Sequence, residues 1–375
     1  MKSQTNPREQ RAREILDNPN CHIISLDEHH YQIKSLTSNR IYDVVSTEAG
    51  WICSCPDSTF RKTVCKHSLA ISLSVQLKQE ARQRNKVTIE EINISKCPQC
   101  HSEEIVRHGI RHNKNYDLQR YSCKSCSKRF SVNLGFEKLR VSPQVITSTL
   151  QLYFSGESLR GVQKFVRLQG VEVAHSTIYK WIKKYTSLME SYLESITPNV
   201  SDTWRADEVW TKVKGDKKYL FALMDDETRF LIAKEISDKK EGHDASGLFA
   251  KAKQVTGKRP KVMITDGLPS YNEAYMKEFW TNDKKRTVHV RHIHLQKDMN
   301  NNKMERFNGE FRDREKVVRG LKTEESPLLS GYQIYHNYVR PHMGLDGKTP
   351  AEVCGIEIQG DNKWKTLIQN AKSKC

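Results

Sequence analysis

The sequence predicts a multidomain chain of mixed α+β and α/β class: two N-terminal cysteine modules, a helix-turn-helix, then a mixed sheet with helices on its faces. Three observations carry this. Most of the ten cysteines fall in metal-ligand spacings near the N-terminus. Helical periodicity fills residues 143–190. From residue 198 onward, short apolar runs alternate with amphipathic helical stretches, as in α/β sheets. A chain of 375 residues can bury several cores. We divide it at 1–90, 91–136, 137–197 and 198–350, with 351–375 as a C-terminal tail.

Lys and Arg number 62 against 45 Asp and Glu, a formal charge of +17. Such an excess favours a polyanionic partner, and nucleic acid is the usual one. No stretch approaches the ~20 apolar residues of a membrane span. The opening MKSQTNPREQRAREILDN has no apolar signal core. The expectation is a cytoplasmic, nucleoid-associated protein with no membrane contact. In a large chain without an export signal, clustered cysteines point to zinc rather than disulfides.

Residues 21–50 alternate as short strands and lead into WICSCPDSTFRKTVCKHSLA. Cys53 and Cys55, then Cys65 and His67, offer three thiolates and an imidazole, a closed tetrahedral zinc set. A helix over 67–82 would fix the His67 ring. The order CxC…CxH after a β-meander resembles the SWIM zinc finger, which implies DNA or protein contacts. Next, Cys97-x2-Cys100 and Cys123-x2-Cys126 form two knuckles that can close a second structural zinc site. A hairpin between them, near EEIVRHG and LQRYSC, resembles a zinc ribbon. Its Arg107, Arg111, Lys114, Arg120, Lys124, Lys128 and Arg129 suit phosphate contact. Cys21, Cys354 and Cys375 have no partners at useful spacing and read as free thiols.

Three helices follow. PQVITSTLQLYFSG stops at Gly156. SLRGVQKFVRLQG has Ser158 as N-cap and Gly170 as stop. In HSTIYKWIKKYTSLMESYLESI, Ile178, Trp181, Ile182 and Tyr185 recur at i, i+3, i+4, i+7 and mark a buried face. A helix-turn-helix sets its second helix in the major groove. Ser176, Thr177, Lys180, Lys183 and Lys184 are the residues expected to face DNA.

Beyond Pro198, strands are expected at TWRADEVWTKV, KKYLFALMDD, RFLIAKEIS, KVMITDG and TVHVRHI. Helices are expected at GHDASGLFAKAKQV, LPSYNEAYMKEFW and NNKMERFNGEFRDREKVVRG. Three strands in meander, then helix, strand, helix, strand, helix is the order of the RNase H-like fold. Asp207 shares a strand face with Val209, Thr211 and Val213, whereas Glu208 points away with Ala206 and Trp210. Asp266 ends the run VMIT, where parallel sheets place their ligands. Glu305 opens the last helix. Clustered carboxylates repel one another unless they share a cation, and oxygen donors select Mg²⁺ or Mn²⁺. Two such ions can clamp the attacking and leaving oxygens of a phosphodiester. Asp202, Glu208, Asp225, Asp226 and Glu227 are competing acids, with Asp225 and Asp226 assigned to a turn. His289, His292 and His294 lie near the same end of the sheet. Tyr338, Arg340 and His342 suggest a tyrosine-recombinase pocket, but its other arginine and histidine elements are missing.

WRADEVWTKVKGDKKYLFALMDDETRFLIA, ITDG, NNKMERFNGEFRDR and YHNYVRPHMGLDGKTPAE together resemble a prokaryotic insertion-sequence DDE transposase, over about residues 95–355. The resemblance implies Asp207, Asp266 and Glu305 as the catalytic, metal-binding acids. It also implies that Arg312 holds the transposon end and that Asn302 is a polar neighbour of the metal site. Arg306, Arg314 and Lys316 would hold adjacent phosphates. It implies end cleavage and strand transfer on double-stranded DNA (terminal inverted repeats and target), with Mg²⁺ or Mn²⁺ as cofactor, two structural Zn²⁺, and a homodimer that pairs two ends. The competing readings are a catalytically silent DNA-binding regulator derived from a transposase, and a metal nuclease that only hydrolyses.

Overall fold

The computed structural model describes residues 7–18, 23–26, 29–35, 40–47, 50–84, 86–92, 96–112, 117–131, 133–137, 139–282, 286–291 and 302–374, without the side chains of 79 and 81–84. Strands β1 (Ile23–Ser25), β2 (His30–Lys34), β3 (Ile41–Thr47) and β4 (Gly50–Cys53) form an antiparallel sheet in that order. Helix α1 (Pro7–Asp17), the short α2 (Pro56–Arg61) and α3 (Lys66–Arg84) complete this module. Alternation along β2 and β3 turns Tyr31, Ile33 and Val44 inward, where they meet Ala12, Ile15 and Ile71. A short β5 (Val87–Ile89) leads out. The second module is a three-stranded sheet of β6 (Ile105–His112), β7 (Asp117–Cys123) and β8 (Arg129–Ser131).

Helices α4 (Pro143–Ser155), α5 (Leu159–Leu168) and α6 (His175–Leu193) follow. The Ser142 hydroxyl accepts from the Val145 amide (3.4 Å) and Ser158 accepts from Gly161 (3.0 Å), so both N-termini are capped by side chains. Gly156, at φ +148°, ends α4 where a Cβ would be strained. Ile178, Trp181, Ile182 and Tyr185 of α6 are buried, as their spacing required.

The third region is a five-stranded mixed sheet in the order β11-β10-β9-β12-β13. Its strands are β9 (Thr203–Val213), β10 (Asp216–Asp225), β11 (Leu231–Ser237), β12 (Val262–Thr265) and β13 (Val288–Arg291). The meander β9–β10–β11 is antiparallel, and β12 and β13 run parallel to β9. This is the order the sequence predicts. Helices α7 (Gly242–Thr256) and α8 (Pro269–Glu278) pack on the face carrying Phe221; α9 (Asn302–Val318) packs on the face carrying Asp207 and Thr211. Helix α10 (Pro327–Ile334) runs into a π-helical turn, Tyr335–Val339, and a 3-10 turn, Met343–Leu345.

Two expectations are corrected here. Residues 351–375 are not a tail. After α11 (Pro350–Val353), strand β14 (Ile356–Ile358) pairs in parallel with β5, and α12 (Lys363–Ser373) buries Trp364, Leu367, Ile368 and Ala371. Spacing at i, i+3, i+4, i+7 makes this an amphipathic helix, and it packs on α6 and α4. Arg314, expected to hold phosphate, is only 4% exposed. It follows Phe307 and Phe311 on the inner stripe of α9, lies over the Tyr153 ring, and donates to the Glu157 carbonyl (3.4 Å). Arg314 therefore ties α9 to the α4–α5 turn.

Two predictions arise from this packing. Trp364 stacks on Phe154 and Tyr335, and its indole N–H donates to Gln151 (2.9 Å). Trp364→Ala should cost about 3–5 kcal/mol, read as a lowered urea midpoint. His336 and His342 donate from Nε2 to the carbonyls of Arg229 (3.0 Å) and His336 (3.1 Å). Burial above all lowers their pKa values to about 3 and about 4 from the usual 6.5. Both are thus neutral when folded, while the unfolded chain binds the extra protons. Stability should be full above pH ~6.5 and fall as pH drops toward 4. Urea midpoints at pH 7 and pH 4.5 test this, and His342→Gln should flatten the difference.

Candidate active site

Site geometry starts from strand register. β12 pairs with β9 only as far as Ile264 opposite Arg205. Two residues further along each parallel strand stand Asp266 and Asp207, so both acids reach the same rung where β12 has ended. Gly267, at φ +95°, lets the chain turn at once toward α8, and the Leu268 amide donates to Asp266 Oδ1 (3.0 Å). Asp266 is thereby left exposed at the strand end. Glu305 lies in the first turn of α9, exposed, on the helix that covers the Asp207 face.

Asp207 is half-buried mid-strand. Its Oδ1 accepts from the Glu208 amide (2.9 Å) and its Oδ2 from the Asn308 amide group (3.0 Å). Burial raises the carboxyl pKa to about 7, and the negative charges of Glu208, Asp266 and Glu305 push the same way. Carboxylate oxygens of Asp207, Glu208 and Asp266 all lie within 4.8 Å of one another, an arrangement that can hold a metal ion. Like charges this close favour a bound divalent cation over three separate anions.

Sequence reasoning missed Asn308, although it stands one helical turn after Glu305 on the same helix. It also treated Glu208 only as a competing acid. That side chain is 4% exposed, accepts from the Tyr271 hydroxyl (3.0 Å) and pairs with Lys240. The other acids have structural partners. Asp225 is fully buried and accepts from Ser201 and Thr228 amides (both 2.9 Å), closing the turn as expected. Asp226 pairs with Arg205 and Lys303, and Asp202 with Lys258 and Lys261. His289 meets Thr265 Oγ1 (3.0 Å), and burial lowers its pKa to about 4. His292 and His294 lie outside the described residues. Tyr338 is buried edge-on to Phe230 and supports the core.

Of the basic positions, Arg306 and Lys316 are exposed and paired along α9 with Glu310 (3.3 Å) and Asp313 (3.1 Å). Arg312 and Asn302 are exposed. Asn302, Lys303 and Arg306 line a cavity of about 180 Å³ with Arg229, His336 and His342. Ser176, Lys180, Lys183 and Lys184 are exposed on α6 and Thr177 is half-buried, opposite the packed stripe. The two cysteine groups are each assembled: Cys53, Cys55, Cys65 and His67 in the first, Cys97, Cys100, Cys123 and Cys126 in the second. Within each group, the potential ligand atoms lie within 4.8 Å of one another.

Removing the Asn308 donor leaves Asp207 Oδ2 without its only described side-chain partner. Asn308→Ala should lower DNA cleavage ~10–100-fold with DNA affinity unchanged, as measured by cleavage rates and band-shift titration in parallel.

Known proteins similar to this chain include transposases. The family DDE_Tnp_IS240, described as a DDE domain, matches residues 201–342. The transposase for insertion sequence-like element IS431mec of Staphylococcus aureus is 26% identical over 226 residues, spanning 60% of this chain and 98% of the relative. The transposase for element IS257 in transposon Tn4003, also from Staphylococcus aureus, matches to the same extent. Among solved structures, the HTLV-2 integrase catalytic core domain in complex with magnesium covers 42% of this chain and 97% of its own, at 18% identity and a TM-score of 0.31. No described helix is long and apolar enough to cross a membrane. Residues 201–342 thus match a DDE domain of the IS240 type, within a chain homologous to these insertion-sequence transposases.

Proposed function

We propose that this transposase cuts the ends of its own insertion sequence and joins them to target DNA, with Asp207, Asp266 and Glu305 as its catalytic acids. The observation that carries the reading is that Asp207 on β9 and Asp266 at the end of β12 meet on one rung of the sheet, with Glu305 at the start of α9 near enough for its charge to help raise the Asp207 pKa. Their crowding, and the raised pKa of Asp207, fit a site built for hard divalent cations, Mg²⁺ or Mn²⁺. When bound, such ions supply Lewis-acid polarisation of the phosphate and neutralise its developing charge.

The chain's own groups position the rest. Asn308 holds Asp207, and Gly267 sets the outward turn of Asp266. Arg306, Arg312 and Lys316 present cations along exposed α9 where phosphates of the end would lie, with Asn302 beside them. In the first step water attacks the phosphodiester at the element end and frees a 3′-hydroxyl. In the second that hydroxyl attacks a target phosphodiester and displaces its 3′-oxygen, conserving the number of phosphodiester bonds. No protein nucleophile is needed, which agrees with the burial of Tyr338. Ser176, Thr177, Lys180, Lys183 and Lys184 would enter a major groove of the terminal repeat. The cysteine groups would each hold one structural Zn²⁺. Pairing two ends calls for a homodimer.

A strand-transfer assay on DNA carrying the gene's flanking ends, with Mg²⁺, tests the reading. Wild type should give joined products and Glu305→Gln should give none while still binding the ends. Binding without cutting in the wild type would instead favour the silent regulator, and cutting without joining the nuclease. Zinc content should be two per chain and fall to one in Cys123→Ser; unchanged stoichiometry would remove the four-cysteine site.

A further inference from the structure

Glu208 is the acid that the three-carboxylate scheme leaves over, yet its carboxylate, not that of Glu305, lies among the closely spaced oxygens of Asp207 and Asp266. We propose that Glu208 is a further ligand of the divalent-cation centre, reaching it from the face of β9 opposite Asp207. The inference deepens the transposase reading above and rests on it.

Strand alternation should separate neighbours to opposite sides of a sheet. Here it does not keep their carboxylates apart, because the β12 pairing stops at Ile264–Arg205. Past that point no described strand flanks β9 on this side at 207–208. Side chains from both faces can then lean into the same notch beside Asp266. On the lower face, Tyr271 is fully buried, stacked on Phe249 and edge-on to Phe221. Its hydroxyl is thus fixed in direction and donates to Glu208 Oε2 (3.0 Å), while Lys240 pairs with Oε1. One partner per oxygen orients the carboxylate and leaves lone pairs open, since each ionised oxygen accepts at two sites. A carboxylate retained only for the Lys240 ion pair would gain nothing from standing against two other acids, where repulsion opposes it. Placement, orientation and spare acceptor capacity together are those of a ligand.

Mn²⁺ titration of the full-length protein without DNA, followed by electron paramagnetic resonance, reads this directly. Glu208→Gln should weaken Mn²⁺ binding at least tenfold, comparable with Asp207→Asn, and Glu208→Asp should recover part of it. Lys240→Met, which removes a competing cation from Glu208, should strengthen binding severalfold. If Glu208→Gln binds Mn²⁺ as wild type does while Asp207→Asn does not, Glu208 is no ligand and the proposal falls alone. If neither substitution changes affinity, the metal-centre reading falls with it. Should Glu208→Gln fail to fold, Glu208→Asp and Lys240→Met decide: wild-type affinity in both overturns the proposal.

Discussion

Mutual repulsion among carboxylates is the constraint around which the catalytic region is organised. Left to themselves, anions this close would move apart or take up protons. Burial and these charges do raise the Asp207 pKa, but each acid is held in place. Asp207 sits in the middle of a central strand paired on both sides at its start. Asp266 is fixed by the end of a buried strand and a glycine turn. Glu208 is gripped by a tyrosine wedged between aromatic rings, and α9 is pinned over the sheet by Glu315, which accepts from Thr211 and the Lys212 amide. The sheet thus gathers three carboxylates at one notch, inside a protein whose overall charge is strongly positive. A net positive charge attracts polyanions, and clustered carboxylates attract cations.

The same core joins the chemistry to the helices assigned to DNA reading. Arg314 lies on the inner side of α9 and locks onto Tyr153 and Glu157. Trp364 bridges Phe154 of α4 and Tyr335 of the π-helical turn. One continuous set of buried residues runs from α4 through the sheet to α12. Helices α4–α6 are therefore joined to α9 through close-packed side chains rather than across a linker.

Much of this was legible in the sequence because periodicity reports burial. The strands and helices of the sheet region appear where alternation and the 3.6-residue repeat place them. The two cysteine groups assemble as their spacing predicts. What escaped has identifiable causes. Glu208 was assigned to the far face, correctly, but register decides that β12 ends in time for both faces to meet. Asn308 and Arg314 were both available from helical spacing: the first repeats the direction of Glu305, the second continues the Phe307–Phe311 stripe. Their polarity concealed an interior role. The C-terminal residues read as a tail, although Trp364, Leu367, Ile368 and Ala371 carry a clear helical stripe. No local rule indicates that β14 would find β5, since parallel pairing joins segments far apart in sequence.

That last pairing bears on how the protein is made. Helices α4 and α6 are synthesised well before α12, the helix that covers them, and β5 waits still longer for β14. During translation, which releases folded units from the N-terminus onward, the early helices leave the ribosome with an apolar flank uncovered. Only when the closing helix docks do they acquire their final packing. A nascent chain is thus held back from this packing until α12 has been made. Such an order favours action by completed molecules over action by fragments, a useful property for an enzyme that cuts the DNA encoding it.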